Sequence, residues 1–422
     1  MPGNVTARSF LMQSPTRILY LTSYSPVEKS YGAQLRTYQI ASALQTVGEV
    51  DCVVVSHEDN HLAEPTTRGA VAVQREIRLQ PVPPRSWWER LRCGIDPRFV
   101  DFHGHAVREP DRTAVLSQLP KYDLVWLHHL HTANVLAQWH WPRSVLDLDD
   151  IPSSFLRSVW QNGGTWEKRI RAGLRMPVAL GRERLLRERF SLLTVCSESD
   201  RRCLPWPEDV HVIPNGFERP AKDPVRHLVV PKRIGFIGRF DHLPNSDGIR
   251  WFVRECWPAI KREVPDCRLR LVGEGSEEMS GLAGPDIDRF GWLADAAEEI
   301  ATWSAMIVPL RLGAGTRIKI AEAFSRKCPV VSTPLGAYGY DVTHGQELLL
   351  AGAPDTFAHA CVTLLRDEAT GSALADRAWR RFLNEWTWDS IAPRVWKTAE
   401  DCLRRNQADP KSAPSTGARS HE

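Results

Sequence analysis

Between Gly313 and Glu322 the chain reads Gly-Ala-Gly-Thr-Arg-Ile-Lys-Ile-Ala-Glu, placing two cations and a carboxylate within six residues of one another. Apolar Ser304-Ala-Met-Ile-Val-Pro-Leu310 precedes this stretch and Pro329-Val-Val-Ser-Thr-Pro334 follows it, so the whole reads as strand, small-residue turn, helix, strand. Gly313 and Gly315 let the backbone approach a ligand closely. Thr316, Arg317 and Lys319 fall in the first turn of the predicted helix, where free N–H groups and the helix dipole favour an anion. Glu322 lies three residues beyond Lys319 and shares its face of the helix. Together these groups suit a diphosphate flanked by a ribose, whose hydroxyls a carboxylate accepts. Taken alone, the same residues also fit an ordinary strand–helix turn with a solvated charged face.

The elements that must position them alternate along the chain. Arg17–Tyr24 reads as a strand, and a helix with Leu35, Tyr38, Ala41 and Leu44 on its apolar stripe follows and ends near Gly48. Val50–Val55 is the next strand, giving a β-α-β unit whose strands are parallel. Asp123–Leu127, Ser144–Leu148, Ser191–Cys196 and the run His211–Gly216 extend that half. Prolines 220, 224 and 231 among charges mark a linker. A second alternation begins at Arg233–Gly238, with a helix over 246–262, strands at Arg268–Val272 and Asp288–Trp292, the glycine segment, and strands at Pro329–Thr333 and Glu347–Leu350. The last helical run starts near Ile391. The fold class is α/β, two doubly wound halves whose strands point their carboxyl ends into a shared cleft.

Bulk properties narrow the class. A chain of 422 residues favours two domains, and 42% hydrophobic with 25% charged residues is ordinary for a globular protein. A net charge of +3 gives no reason to expect nucleic acid as a partner. Nine scattered cysteines without a C-x-x-C pair argue for reduced thiols and a cytoplasmic setting. No apolar run reaches the ~18–20 residues of a membrane span, and the first residues lack a signal-peptide layout.

Five segments in order carry a resemblance: His211-Val-Ile-Pro-Asn-Gly216, Ile237-Gly-Arg-Phe-Asp-His-Leu-Pro-Asn245, Leu271-Val-Gly-Glu-Gly275, Gly313–Phe324 and Pro329-Val-Val-Ser-Thr-Pro-Leu-Gly336. With them the chain resembles the bacterial retaining glycosyltransferases of family 4 (group 1), and within these the sugar transferases of exopolysaccharide biosynthesis. The resemblance implies the GT-B fold, two facing Rossmann-like domains with an interdomain cleft. The expected parts are an N-terminal tail over 1–14, an acceptor domain over 15–228 and a donor domain over 229–385. A helix over 386–405 that packs back on the acceptor domain and a disordered tail over 406–422 complete them. It also implies roles. Arg239, after Gly238, pairs with the donor diphosphate, and Lys319 or Arg317 supplies the second cation. Backbone N–H groups around Gly315, Thr316 and Arg317 cap the β-phosphate, Glu322 binds the ribose diol, and the backbone around Trp292 meets the base. Gly32 lies in the loop that approaches the diphosphate from the opposite side. His128 is the cleft histidine that contacts the transferred sugar or its acceptor. Asp149 and Asp150 face the acceptor, or else cap and solvate the chain end. No protein nucleophile and no metal cofactor are expected.

The chain departs from the family pattern twice. Ala314 stands where the first of two acids eight positions apart belongs, which opens the identity and positioning of the sugar. Asp241–Asn245 occupies the stretch where a lysine usually follows the second domain's first strand, and Arg317 is expected to compensate. Two other classes share the binding residues: a non-catalytic nucleotide-sugar-binding subunit of a polysaccharide assembly system, and a nucleotide-sugar epimerase. A metal hydrolase is suggested by His103-x-His105 and His128-His-x-His131 with Asp147 and Asp150. Against it, neighbouring residues of a strand point to opposite faces and no H-E-x-x-H element is present. Between Arg157 and Arg189 nine Lys/Arg stand against three Glu, with Trp160 and Trp166 near the front, and Arg85–Arg92 also mixes tryptophan with basic charge. Those segments fit either the surface of an anionic membrane presenting a lipid-linked acceptor, or an exposed basic helix over the sheet.

Overall fold

A computed structural model describes residues 15–27, 29, 31–56, 71–83, 86–99, 104–282 and 284–408. The tail expected at 1–14 lies outside these residues, as do Arg85 and His103; of the tail expected over 406–422, residues 406–408 continue the last helix and 409–422 lie outside.

The first lobe is a seven-stranded parallel sheet. Its strands are β1 (Arg17–Thr22), β2 (Glu49–Ser56), β3 (Val73–Arg78), β4 (Leu124–His128), β5 (Trp141–Asp147), β6 (Phe190–Val195) and β7 (Val210–Val212), in the spatial order β3-β2-β1-β4-β5-β6-β7. Strand β3 has no counterpart in the expected elements, because Val-Gln-Arg-Glu-Ile-Arg at a sheet edge offers little apolar pattern. Side chains of the central strands alternate between two cores. Leu19 and Leu21 pack on one face, Ile18 and Tyr20 on the other, so both faces of the sheet are covered.

The second lobe holds six parallel strands, β8 (Arg233–Ile237), β9 (Arg268–Val272), β10 (Ile287–Arg289), β11 (Ala305–Val308), β12 (Val330–Ser332) and β13 (Leu349–Leu350), in the order β10-β9-β8-β11-β12-β13. Both lobes therefore reverse direction between their first and fourth strands, where doubly wound sheets open a crevice at the strand ends. That topology brings the segments after β1 and β4 to face those after β8 and β11.

Six helices position the site and its surroundings: α1 (Gly32–Leu44), α2 (Trp87–Ile95), α3 (Pro152–Asn162), α4 (Trp166–Arg189), α5 (Ile318–Ser325) and α6 (Trp388–Ala408). Helix α6 leaves the second lobe and lays Trp388, Ile391, Val395, Ala399 and Cys402 into the core formed by Ile18, Tyr20, Ile40 and Leu44 of the first. The Trp396 indole N–H donates to the Ala43 carbonyl at 3.0 Å, fixing α6 against α1. The helix expected over 246–262 is broken by a wide π turn over Phe252–Cys256. Pro258 explains the break, since it lacks an N–H and its ring clashes with the carbonyl four residues earlier. All nine cysteines are free thiols.

Candidate functional site

On the second-lobe side, β8 ends at Ile237 and Gly238 turns the chain toward Arg239. A Cβ on Gly238 would lie 2.9 Å from Asn245 Nδ2 and 3.0 Å from Lys319 Nζ, and the backbone there, at φ +154°, also disfavours a side chain. Asn245 bridges the two: its Nδ2 donates to the Arg239 carbonyl at 2.7 Å, and its Oδ1 accepts from Lys319 Nζ at 2.8 Å. Lys319 Nζ also sits 4.1 Å from the Phe236 ring centroid. Burial, with the nearby Arg317 charge, brings its ammonium down to about 7. Glu322 is pushed up to about 7 by burial, against the pull of Arg326 and Lys319. Arg239 donates to Asp241 and lies 3.5 Å from Glu274, while its guanidinium stacks 5.3 Å over Tyr31 of the first lobe.

The glycine turn is tighter than its sequence suggests. Helix α5 begins at Ile318, with Arg317 in extended backbone as its cap residue, so Thr316 and Arg317 precede the first turn rather than occupy it. Gly315 has φ +67°, and a Cβ there would lie 1.9 Å from Asp150 Oδ1 of the first lobe. Gly313 donates its N–H to Ser158 Oγ of α3 at 2.9 Å, another contact between lobes. Within this turn the Thr316 hydroxyl and the Nε and Nη2 of Arg317 are buried without a hydrogen-bond partner. Only Nη1 of that guanidinium is used, donating to the Ala314 carbonyl. Burial lowers Arg317 while Asp150, Asp200 and Asp149 raise it, so its charge faces three carboxylates of the opposite lobe.

The first lobe supplies the other wall. His128 ends β4 fully buried, with Nδ1 at 2.9 Å from Thr37 Oγ1 and Nε2 unpartnered. Burial and neighbouring His129 hold it well below the usual imidazole range, hence neutral. Asp149 accepts from Cys196 Sγ at 2.7 Å and from Asn215 Nδ2 at 2.9 Å. Burial opposes its ionisation, but the Arg36 guanidinium, foremost among its neighbours, and the hydrogen bond from Cys196 lower it. Asp150 touches solvent within the gap between lobes yet is walled by protein, and burial beside the Asp149 carboxylate raises it. Gly32 opens α1, and a Cβ there would meet Ile318 Cδ1 at 2.7 Å, so this loop is pressed against the start of α5.

One expectation is corrected. The opposite-faces argument against a metal fails, because His129 has φ +69° and swings its ring to 4.0 Å from that of His128. The ligand atoms of His128, His129 and Asp149 all lie within 4.8 Å of one another, a set whose donor types could hold a divalent ion. His131 is not in that cluster, and neither is Asp147, whose carboxylate is taken by Arg36. Trp292 is 58% exposed just beyond edge strand β10. The other expected residues converge on one gap.

Sequence reasoning passed over the group that fixes the first-lobe wall. Arg36 is fully buried and donates Nε to Asp147 Oδ2 at 3.0 Å and Nη2 to Asp147 Oδ1 at 2.6 Å. Its Nη1 reaches the Ile213 carbonyl at 3.0 Å and Asn215 Oδ1 at 2.9 Å. It thereby ties α1, β5 and the Ile213–Asn215 run into one unit behind Asp149. An arginine among the apolar positions of α1 was the available signal.

Residues 231–367 match the family model described as "Glycosyl transferases group 1". The match spans 137 of the chain's 422 residues, all within the domain that forms the second lobe. Residues 233–350 of that domain contribute every strand of its sheet, together with the segments after β8 and β11 that line the gap. Among solved structures, HepE of Anabaena in complex with UDP and glucose superposes with TM-score 0.61 at 17% identity, over 91% of this chain and 99% of that one. Sucrose-phosphate synthase of Thermosynechococcus elongatus superposes with TM-score 0.68 at 18% identity, over 92% and 100%. The whole chain has the GT-B fold, and the residues that the family model matches lie in its C-terminal half. A Klebsiella pneumoniae protein described as an uncharacterized 44.6 kDa protein in the cps region is 26% identical over 133 residues, 29% of this chain and 34% of that protein.

Proposed function

We propose that this protein transfers a sugar from a nucleoside-diphosphate sugar to a glycan or lipid-linked acceptor in cell-surface polysaccharide assembly, with retention of configuration. The observation that carries the reading is the set of buried, unpartnered polar atoms from both lobes. Thr316 Oγ1 and Arg317 Nε and Nη2 come from one side, and His128 Nε2 from the other. Buried polar atoms are seldom left unpaired, and a bound anion with hydroxyl groups would pair them. The cps-region setting of the Klebsiella relative supports the polysaccharide role.

The cations divide the work. Arg317 and Lys319, with the N–H groups at the start of α5, stabilise the departing diphosphate, and this charge neutralisation needs no obligatory metal. Arg239 exchanges Asp241 for a phosphate oxygen. Glu322 accepts from the ribose hydroxyls, and the backbone near Trp292 borders the base. His128, neutral and buried, orients the sugar, while Asp149 and Asp150 face the acceptor. With no protein nucleophile assigned, the acceptor attacks on the face that the diphosphate leaves, and a phosphate oxygen takes its proton.

Titration calorimetry with UDP-, GDP-, ADP- and TDP-sugars tests the reading. UDP-glucose heads the screen because HepE was also crystallised with it. Glu322→Ala is expected to weaken donor binding by about 10- to 100-fold, the loss of one charged hydrogen bond. Arg317→Ala is expected to lower kcat/KM by about 100-fold or more. Absence of binding to all four donors would overturn the proposal. Binding without turnover on any acceptor would leave a nucleotide-sugar-binding subunit.

A further inference from the structure

Helix α4 carries two opposite faces, and the wrong one is apolar toward solvent. At about 100° per residue, Ala172, Ala179 and Glu183 form the side that the lobe buries, while Trp166, Ile170 and Leu174 centre about 180° away. Trp166 is 70% exposed and Leu174 73%. Helix α2 repeats the pattern. It buries no residue, yet Trp87, Trp88, Leu91 and Ile95 share an arc of about 100°, and Trp88 and Ile95 are 64% and 67% exposed. The two helices are joined: Arg182 Nη2 of α4 donates to the Cys93 carbonyl of α2 at 2.9 Å. On α3, exposed Trp160 leans on α4, where a Cβ at Gly173 would lie 3.4 Å from its ring.

We infer that the exposed stripes of α2 and α4 form a docking surface for an anionic lipid bilayer. Charge selects this occupant. Arg169 and Arg171 flank the α4 stripe about 60° beyond its two edges, both exposed and without a carboxylate partner among the described residues. Indole rings and basic heads around an apolar stripe match the boundary between acyl chains and phosphate headgroups. No helix among the described residues is long and apolar enough to cross a membrane, so the stripes lie in the interface plane. The surface adjoins the cleft: Ser158 of α3 bonds Gly313 in the glycine turn, and Trp160 stands two residues further on. A bilayer held on these stripes borders the cleft wall that carries Asp150. Docking is independent of the transfer reading; delivery of a lipid-linked acceptor rests on it.

The full chain is mixed with phosphatidylcholine vesicles, or with vesicles in which phosphatidylglycerol replaces a third of the lipid, and floated on a density gradient at low and high salt. Expected is association with the anionic vesicles at least about ten-fold stronger than with the neutral ones, weakening with salt. The variant Trp166→Ser/Ile170→Ser/Leu174→Ser should reduce that association by about ten-fold or more while leaving Tm and donor binding unchanged. Three outcomes would overturn the proposal. They are no association at low salt, association that the triple variant leaves intact, or a concentration-dependent oligomer that the variant abolishes, which would assign the stripes to a second copy of the chain.

Discussion

At the scale of single residues, Lys319 and Glu322 set opposing pH responses. Lys319 is brought to about 7 by burial and Arg317, so its ammonium dominates below that pH. A diphosphate favours the ammonium and raises its pKa in the complex, so this term weakens donor binding as pH climbs past 7, by up to about ten-fold per unit. Glu322, raised to about 7, becomes the better acceptor for ribose hydroxyls above that pH, and its term strengthens binding there. The two offset each other in the native chain. Glu322→Gln is expected to expose the lysine term, so the UDP-glucose Kd should rise between about pH 6.5 and 8.5. A flat profile in that variant would exclude Lys319 from the diphosphate. Metal dependence is tested separately: turnover is expected to persist in excess EDTA, and its loss would direct attention to His128, His129 and Asp149. Motif order made Lys319, Arg317 and Glu322 legible, because all three lie within six residues of a single strand–turn–helix segment. His129 was not legible, since its position depends on a left-handed backbone angle that its residue type does not demand.

Among elements, the turn before α5 and the buried ion pair behind β5 bear the most on the site. Gly315→Ala meets both a positive φ, worth about 1–2 kcal/mol for a residue with a side chain, and the Asp150 carboxylate. It is expected to lower Tm and abolish most turnover, and Asp150→Ala in the same chain should recover part of the loss by removing the steric partner. Arg36→Ala leaves Asp147 buried without its cation. Denaturant titration is expected to show about 3–5 kcal/mol less stability, whereas Arg36→Met/Asp147→Leu should lose much less. The parallel strands were legible because alternating apolar residues on two covered faces give dense hydrophobic runs. Edge strand β3 and the π turn at Phe252 were not, being set by neighbours and by one proline rather than by periodicity.

For the whole molecule, the sequence yields two α/β halves and a cleft between them, because the pattern of strand and helix repeats across a proline-rich join. What it leaves open is how the halves touch. Ser158 on Gly313, Tyr338 on Asp200 at 3.0 Å and Tyr31 beneath Arg239 are long-range pairings with no local signature. A chain ending at Trp386 would lack α6, and with it Ile391, Val395, Ala399 and Cys402 from the first lobe's core. Each of those apolar side chains buried in full is worth about 1.5–3 kcal/mol when large, so near-UV circular dichroism of that fragment is expected to show a first lobe without fixed packing. The return of α6 also sets the order in which the molecule can mature during synthesis. The half made first cannot cover one face of its sheet until residues near 400 have left the ribosome, whereas the half made second finishes its own core earlier. The nascent amino-terminal half therefore waits with one flank uncovered, a client for chaperones for as long as translation continues.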